Sequence, residues 1–134
     1  MKLVVSVLAF LLISISAVFA ESAPMSVAGT TTISVEEAAE LFDAEVPFVD
    51  VRKASDFDAG RIPAAVNIDV KGDFTEAALA AVAGKNDKVV FYCNGEKCLL
   101  SSTAAEMAVA WGWTNIQYFR GGFPAWEAAG LPIE

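Results

Sequence analysis

Cys93 and Cys98 are the side chains in this 134-residue chain best suited to covalent chemistry, and they stand five apart in Lys88-Val-Val-Phe-Tyr-Cys-Asn-Gly-Glu-Lys-Cys-Leu99. A cysteine attacks as its thiolate, so what matters is whatever lowers its pKa from about 8.5. The apolar run that stops at Cys93 reads as a buried strand, and the residues after Cys98 read as a helix. A six-residue loop therefore joins a strand to a helix N-terminus, whose first N–H groups lack helical partners and carry partial positive charge. Cysteines so placed have pKa values of roughly 3.5–7.5. Gly95 lets the backbone turn tightly and aim several N–H groups inward. Cys93, at the strand end, is expected at the floor of that cradle.

The chain contains no histidine. It therefore has no side chain that titrates near neutrality unperturbed, and its two cysteines cannot supply the four ligands of a structural zinc site. No metal or cofactor is expected. Nucleophilic catalysis, redox chemistry and a structural disulfide remain open. The loop is short enough to bring the two sulfurs together, but so small a ring restrains the unfolded chain little, which makes a structural purpose the weaker reading. Phosphoryl transfer is disfavoured, because related phosphatase loops are longer and carry an arginine six residues after the cysteine to grip the oxyanion. That position here is Leu99, which offers no charge.

Around the loop, strand-like and helix-like stretches alternate. A short strand at residues 31–33 precedes Ser34-Val-Glu-Glu37, a capping box, with Val35, Ala38, Ala39 and Phe42 at helical spacing behind it. Residues 47–51 read as a strand with Asp50 and Arg52 at its C-terminal end. Gly60-Arg-Ile-Pro63 breaks the chain, residues 65–70 read as a strand, and residues 74–82 as an alanine-rich helix ended by Gly84. After the loop, Leu100, Ala104, Met107, Ala108 and Trp111 form a helical stripe closed by Gly112. A strand at 116–119 and a last helix through Trp126 follow. The alternation predicts an α/β fold with a mostly parallel central sheet flanked by helices on both faces. In such sheets the strands' carboxyl ends carry the site, so Asp50 and Cys93 are expected to converge on one crevice. Arg52 is read as structural, pairing with Asp56 across a turn-rich stretch and pinning the next loop.

Composition bounds the rest. With 55% apolar residues the chain has room for one core, and no repeat is visible. Lys2, the uncharged run 3–19 and the exit Val18-Phe-Ala20 have the form of a secretory signal peptide cleaved after Ala20, with an uncleaved membrane anchor as the alternative. Residues 21–30 read as a flexible leader and 31–134 as the domain. Export, to the periplasm, is the expected localisation. Removal of Lys2 turns the formal charge of −8 into −9. Such acidity repels phosphate backbones, which argues against nucleic acid as a partner, and it gives no long-range attraction to an anionic substrate.

Four stretches, in order and at matching spacing from residue 33 onward, resemble the rhodanese-type sulfurtransferases. They are the Cys93 loop between strand and helix, Phe48-Val-Asp-Val-Arg52, Phe57-Asp-Ala-Gly-Arg-Ile-Pro-Ala-Ala-Val-Asn67, and Gly121-Gly-Phe-Pro-Ala-Trp126. The resemblance implies a single-domain rhodanese-like fold and transfer of sulfane sulfur from a donor such as thiosulfate to cyanide or a thiol through a Cys93 persulfide. The backbone N–H groups of Asn94, Gly95, Glu96, Lys97, Cys98 and Leu99 would then hold the negative charge of the sulfur in flight. Lys97 adds a cation to the rim, and Glu96 is expected to point outward. Under the resemblance Asp50, Arg52 and Asp56 support the site, and a protein acceptor of the sulfur is a partner that it allows. Arg61 stands where the family usually has histidine, which leaves open a role as an anion contact. Rhodanese-like domains also include non-catalytic binding modules. Cys98 as a resolving thiol would make the pair a dithiol/disulfide or sulfur-carrier centre, and disulfide formation in an oxidising compartment would leave the resting protein partly latent.

Overall fold

The computed structural model describes residues 21–134, so the expected signal peptide lies outside the described residues. No helix among them is long and apolar enough to cross a membrane. The elements in chain order are β1 (Thr31–Thr32), α1 (Val35–Asp43), β2 (Phe48–Asp50), α2 (Ala54–Ala59), β3 (Val66–Asn67), α3 (Glu76–Ala80), β4 (Val89–Tyr92), α4 (Leu100–Trp111), β5 (Ile116–Phe119) and α5 (Gly122–Ala128). The five strands form one sheet in the order β1-β5-β4-β2-β3, and every pairing is parallel. The expected α/β architecture is what forms.

β4 occupies the centre because it is apolar on both faces. Val89, Phe91 and Cys93 point to one side, into a core with Val49, Leu79, Ala104, Ala108 and Trp113 from beneath α3 and α4. Val90 and Tyr92 point to the other, where Ala38, Phe48, Phe119 and Trp126 pack under α1 and α5. A strand buried on both faces reads as a continuous apolar run, which is the signal its sequence carries. Its C-terminal end, with that of β2, opens into the Cys93 loop.

Caps set where the helices begin and end. Ser34 Oγ accepts from Glu37 N at 3.1 Å and Glu37 Oε1 accepts from Ser34 N at 3.2 Å, the reciprocal box that starts α1. Gly112 closes α4 in the left-handed region at φ 105°, which glycine adopts without a Cβ penalty. α3 is shorter than expected. It starts behind Thr75, whose hydroxyl accepts from Ala78 N at 3.1 Å, and ends at Ala81 before Gly84. The strand expected at 65–70 is paired as a strand only over Val66–Asn67, at the sheet edge.

Two expectations are corrected. The turn-rich stretch after Arg52 is helix α2, too short to show a helical period in sequence. The stretch read as a flexible leader at 21–30 is packed. Ala23 and Val27 are buried, and Tyr118 Oη donates to Pro24 O at 3.0 Å. Burial raises the Tyr118 phenol, an effect that Arg120 and Ser101 oppose. Small and polar residues suggest a linker only until apolar ones among them find a hydrophobic floor, here the edge of the sheet beside β5.

Candidate functional site

Cys93 leaves the end of β4 with its side chain buried, and its carbonyl accepts from Phe123 N at 2.9 Å. That contact requires the double glycine at the start of α5. Gly122 sits at φ +61°, and a Cβ there would drive into Cys93 O and within 2.8 Å of Gly95 N. Gly95 itself lies at φ +101°, the conformation that turns the loop back so that Cys98 N donates to Gly95 O at 3.0 Å. Among the described residues, the N–H groups of Asn94, Gly95, Glu96, Lys97 and Leu99 find no acceptor in the protein. α4 starts at Leu100 with no side chain capping it. The serines of its first turn are buried, and Ser102 Oγ donates to Leu99 O at 2.9 Å, away from the N–H groups. The loop that follows Cys93 thus offers an uncapped helix N-terminus and a row of N–H groups without protein acceptors, the donors from which an anion cradle is built. Beside them lies an open cleft of about 420 Å³ lined by Asn94, Gly95, Glu96, Lys97, Gly121 and Pro124.

The two cysteines are joined: Cys93 and Cys98 form a disulfide with their Cα atoms 6.2 Å apart. The sequence left this bond open. In this state neither sulfur is a nucleophile, and the loop is closed over Cys93.

The loop is braced from β2, and here the sequence-based pairing of Arg52 with Asp56 is corrected. Arg52 grips Asp50, with Nε 2.9 Å from Oδ1 and Nη2 2.6 Å from Oδ2. Both side chains are buried. Nη2 also donates to Gly60 O at 2.7 Å and Nη1 to Asn94 Oδ1 at 3.1 Å. Burial pulls the guanidinium pKa down, but the hydrogen bond and charge of Asp50 outweigh it and hold it above its ordinary value. Asp56 instead accepts from Asn94 Nδ2 at 3.0 Å. Helix α2 turns Asp56 toward the loop, while Asp50 and Arg52, two residues apart at a strand end, share a side. Asn94 thus uses its side chain to lock the loop and leaves its N–H free. Tyr92 lies under the guanidinium, 5.7 Å from ring centre to Arg52 Cζ. Burial first, then the Asp50 carboxylate, hold its phenol protonated far above the usual tyrosine range.

Glu96 points outward as expected, and Arg120 Nη1 meets its Oε1 at 3.2 Å. Arg120 was not foreseen as part of the site. Its guanidinium also donates twice to Ala23 O, at 3.1 and 3.0 Å, and Ala23 N donates to Glu96 O at 2.7 Å. The N-terminal segment, the end of β5 and the cysteine loop are tied together at this one point. A basic residue between a strand and a double glycine was the available signal, but its partners lie 24 and 97 residues away. Arg61 stacks on Phe57 and pairs with Glu134 at 3.5 Å, and neither partner belongs to the loop.

The brace predicts a measurable effect. Arg120→Ala should cost about 1–2 kcal/mol, from two hydrogen bonds to a charged donor and a largely exposed ion pair. Hydrogen exchange at Asn94 to Lys97 should accelerate with it. Unchanged exchange there would show that Arg120 holds only the N-terminal segment.

Comparison with known proteins agrees with the geometry. Residues 34–129 match the family described as the rhodanese-like domain. The chain is 36% identical over 92 residues to the HTH-type transcriptional regulator Rv0324 of Mycobacterium tuberculosis, covering 67% of this chain and 38% of that protein. It is 29% identical over 114 residues to the senescence-associated protein DIN1 of Raphanus sativus, covering 78% and 61%. It thus spans less than two thirds of either relative. The human single-domain sulfurtransferase TSTD1 superposes with a TM-score of 0.60 at 25% identity, over 75% of this chain and 96% of that one. With a match spanning most of the described residues and the cysteine loop at the carboxyl end of a parallel sheet, the chain belongs to the rhodanese-like domain family.

Proposed function

We propose that this protein is an exported sulfurtransferase that carries sulfane sulfur as a persulfide on Cys93. The observation that carries the reading is the row of loop N–H groups without protein acceptors between Cys93 and the uncapped start of α4. With the disulfide reduced, the Cys93 thiolate attacks the outer sulfur of a donor such as thiosulfate, and sulfite leaves with the electron pair of the broken S–S bond. The loop N–H groups stabilise the thiolate and then the persulfide anion, and a thiol or cyanide removes the outer sulfur. Lys97 is the cation at the rim, and the acidic surface leaves attraction of the donor to these local groups. The acceptor is a small thiophile or a protein thiol.

A second reading is favoured by the Cys93–Cys98 bond itself: a dithiol/disulfide or sulfur-carrier module. A non-catalytic binding domain is the third, in keeping with the longer transcriptional regulator to which 92 residues of this chain are 36% identical. One experiment separates them. Reduced protein mixed with thiosulfate should release sulfite and gain the mass of one sulfur atom on the Cys93 peptide, and cyanide should remove that sulfur as thiocyanate. Protein that releases no sulfite and keeps its mass would overturn the sulfurtransferase reading. The same spectra report export, for which Glu21 is the expected first residue of the mature chain.

A further inference from the structure

The two bonded sulfurs are not equivalent. Cys93 is 1% exposed, whereas Cys98 is only partly buried at the edge of the loop. Their Cα separation of 6.2 Å lies within the usual disulfide range of about 4.4–6.8 Å. Both ends of the loop are anchored, Cys93 through its carbonyl to Phe123 N and Cys98 through its N–H to Gly95 O, just before α4. The fold with β4 and α4 in place therefore seats the Cys98 sulfur against Cys93 Sγ. A persulfide on Cys93 presents two sulfurs to attack. The outer one is the atom an external acceptor takes, while the inner one, Cys93 Sγ, is the atom to which Cys98 is bonded in this structure.

We propose that Cys98 resolves the Cys93 persulfide within the chain, so that the protein reduces sulfane sulfur to hydrogen sulfide with electrons from an external dithiol. This rests on the reading of Cys93 as the persulfide carrier. The Cys98 thiolate attacks Cys93 Sγ, the Sγ–Sγ bond forms, and the bond to the outer sulfur breaks. That sulfur departs as HS⁻ with the electron pair. The two cysteines lose two electrons and the sulfane sulfur gains them, and the proton that Cys98 gives up to solvent is matched by the one the departing sulfur takes from solvent to become HS⁻. The product is the disulfide seen here. A dithiol then attacks the accessible Cys98 sulfur, and Cys93 leaves as a thiolate held by the loop N–H groups, the better leaving group for the same reason that it is the better nucleophile. The second thiol of the dithiol closes its own disulfide and frees Cys98. The sum is thiosulfate plus dithiol giving sulfite, sulfide and a disulfide.

The test is a single turnover of reduced, desalted protein under anaerobic conditions, loaded with thiosulfate in one arm and inorganic polysulfide in the other. Wild type should release one equivalent of sulfide while both cysteines become resistant to alkylation. Cys98→Ser should hold the sulfur it accepts on Cys93 as a persulfide and release no sulfide until an external thiol is added. Wild type that retains the persulfide with Cys98 still open to alkylation would overturn intramolecular resolution while leaving sulfur transfer standing. Failure of Cys98→Ser to acquire sulfur in either arm would remove the persulfide reading itself, and this proposal with it. Oxidised wild type treated with a single-cysteine variant of a thioredoxin-like reductant should be trapped as a mixed disulfide at Cys98. A trap at Cys93 would overturn the assigned direction of attack.

Discussion

Replacing Cys93 with serine is expected to lower sulfite release from thiosulfate by roughly 10⁴-fold or more, the scale on which an enzyme loses rate with its nucleophile. A serine hydroxyl is not ionised at neutral pH and is a poor nucleophile toward sulfur, so the N–H cradle would have no anion to hold. The scaffold should survive. The contact that fixes the loop is the main-chain bond from Phe123 N to Cys93 O, which serine keeps, and the loop is braced independently through Asn94 by Arg52 and Asp56. The variant does lose the disulfide, worth about 2 kcal/mol for so small a ring. Cys98→Ser, which loses the same bond, is therefore the proper reference. Circular dichroism matching that reference with sulfite release at background is the expected pair of results. Sulfite release near wild type would assign the nucleophile to Cys98.

Asp50→Ala should be the most damaging substitution for stability, at roughly 3–5 kcal/mol, because it leaves the Arg52 guanidinium buried without its partner. Arg52 is 3% exposed and Asp50 is fully buried. For a domain whose total stability is on the order of 5–15 kcal/mol, that loss should lower the melting temperature by about 10–20 °C. Asp56→Ala removes the bond to Asn94 Nδ2 at 3.0 Å and a weak attraction to the Arg52 guanidinium, so its cost should stay at about 1 kcal/mol. Thermal melts of the two variants side by side decide between the pairing seen in the structure and the one expected from spacing. Equal losses would place Asp56 on a par with Asp50 as partner to Arg52.

The parts legible in the sequence were those encoded by neighbours along the chain. The apolar run at Val89 to Tyr92, the capping box at Ser34 and Glu37, and the glycine at Gly112 each carry their reason within a few residues, and all three form as expected. The alternation of strands and helices then yields a parallel sheet, because a strand that returns through a helix runs in the same direction as the strand before it, whether the two are neighbours, as β2 and β3 are, or not, as with β3 and β4. The placement of Cys93 at a strand end before a helix followed from the same local signals.

What the tertiary structure alone decided was which side chains meet. Asp50 and Asp56 stand two and four residues from Arg52, and spacing cannot rank them, because the choice depends on α2, a helix of six residues, and on the burial of the guanidinium. The closing of residues 21–30 onto β5, the Arg120 tie between Ala23 and Glu96, and the approach of Gly122 to the Cys93 carbonyl all join segments distant in sequence. Such contacts form only after the sheet has stacked its strands and set their ends side by side. Local propensity acts through the backbone within a turn or two, whereas burial and charge pairing act through space. The identity of the cysteine loop was therefore written in residues 88 to 99, and the bracing that holds it in shape was written in the fold.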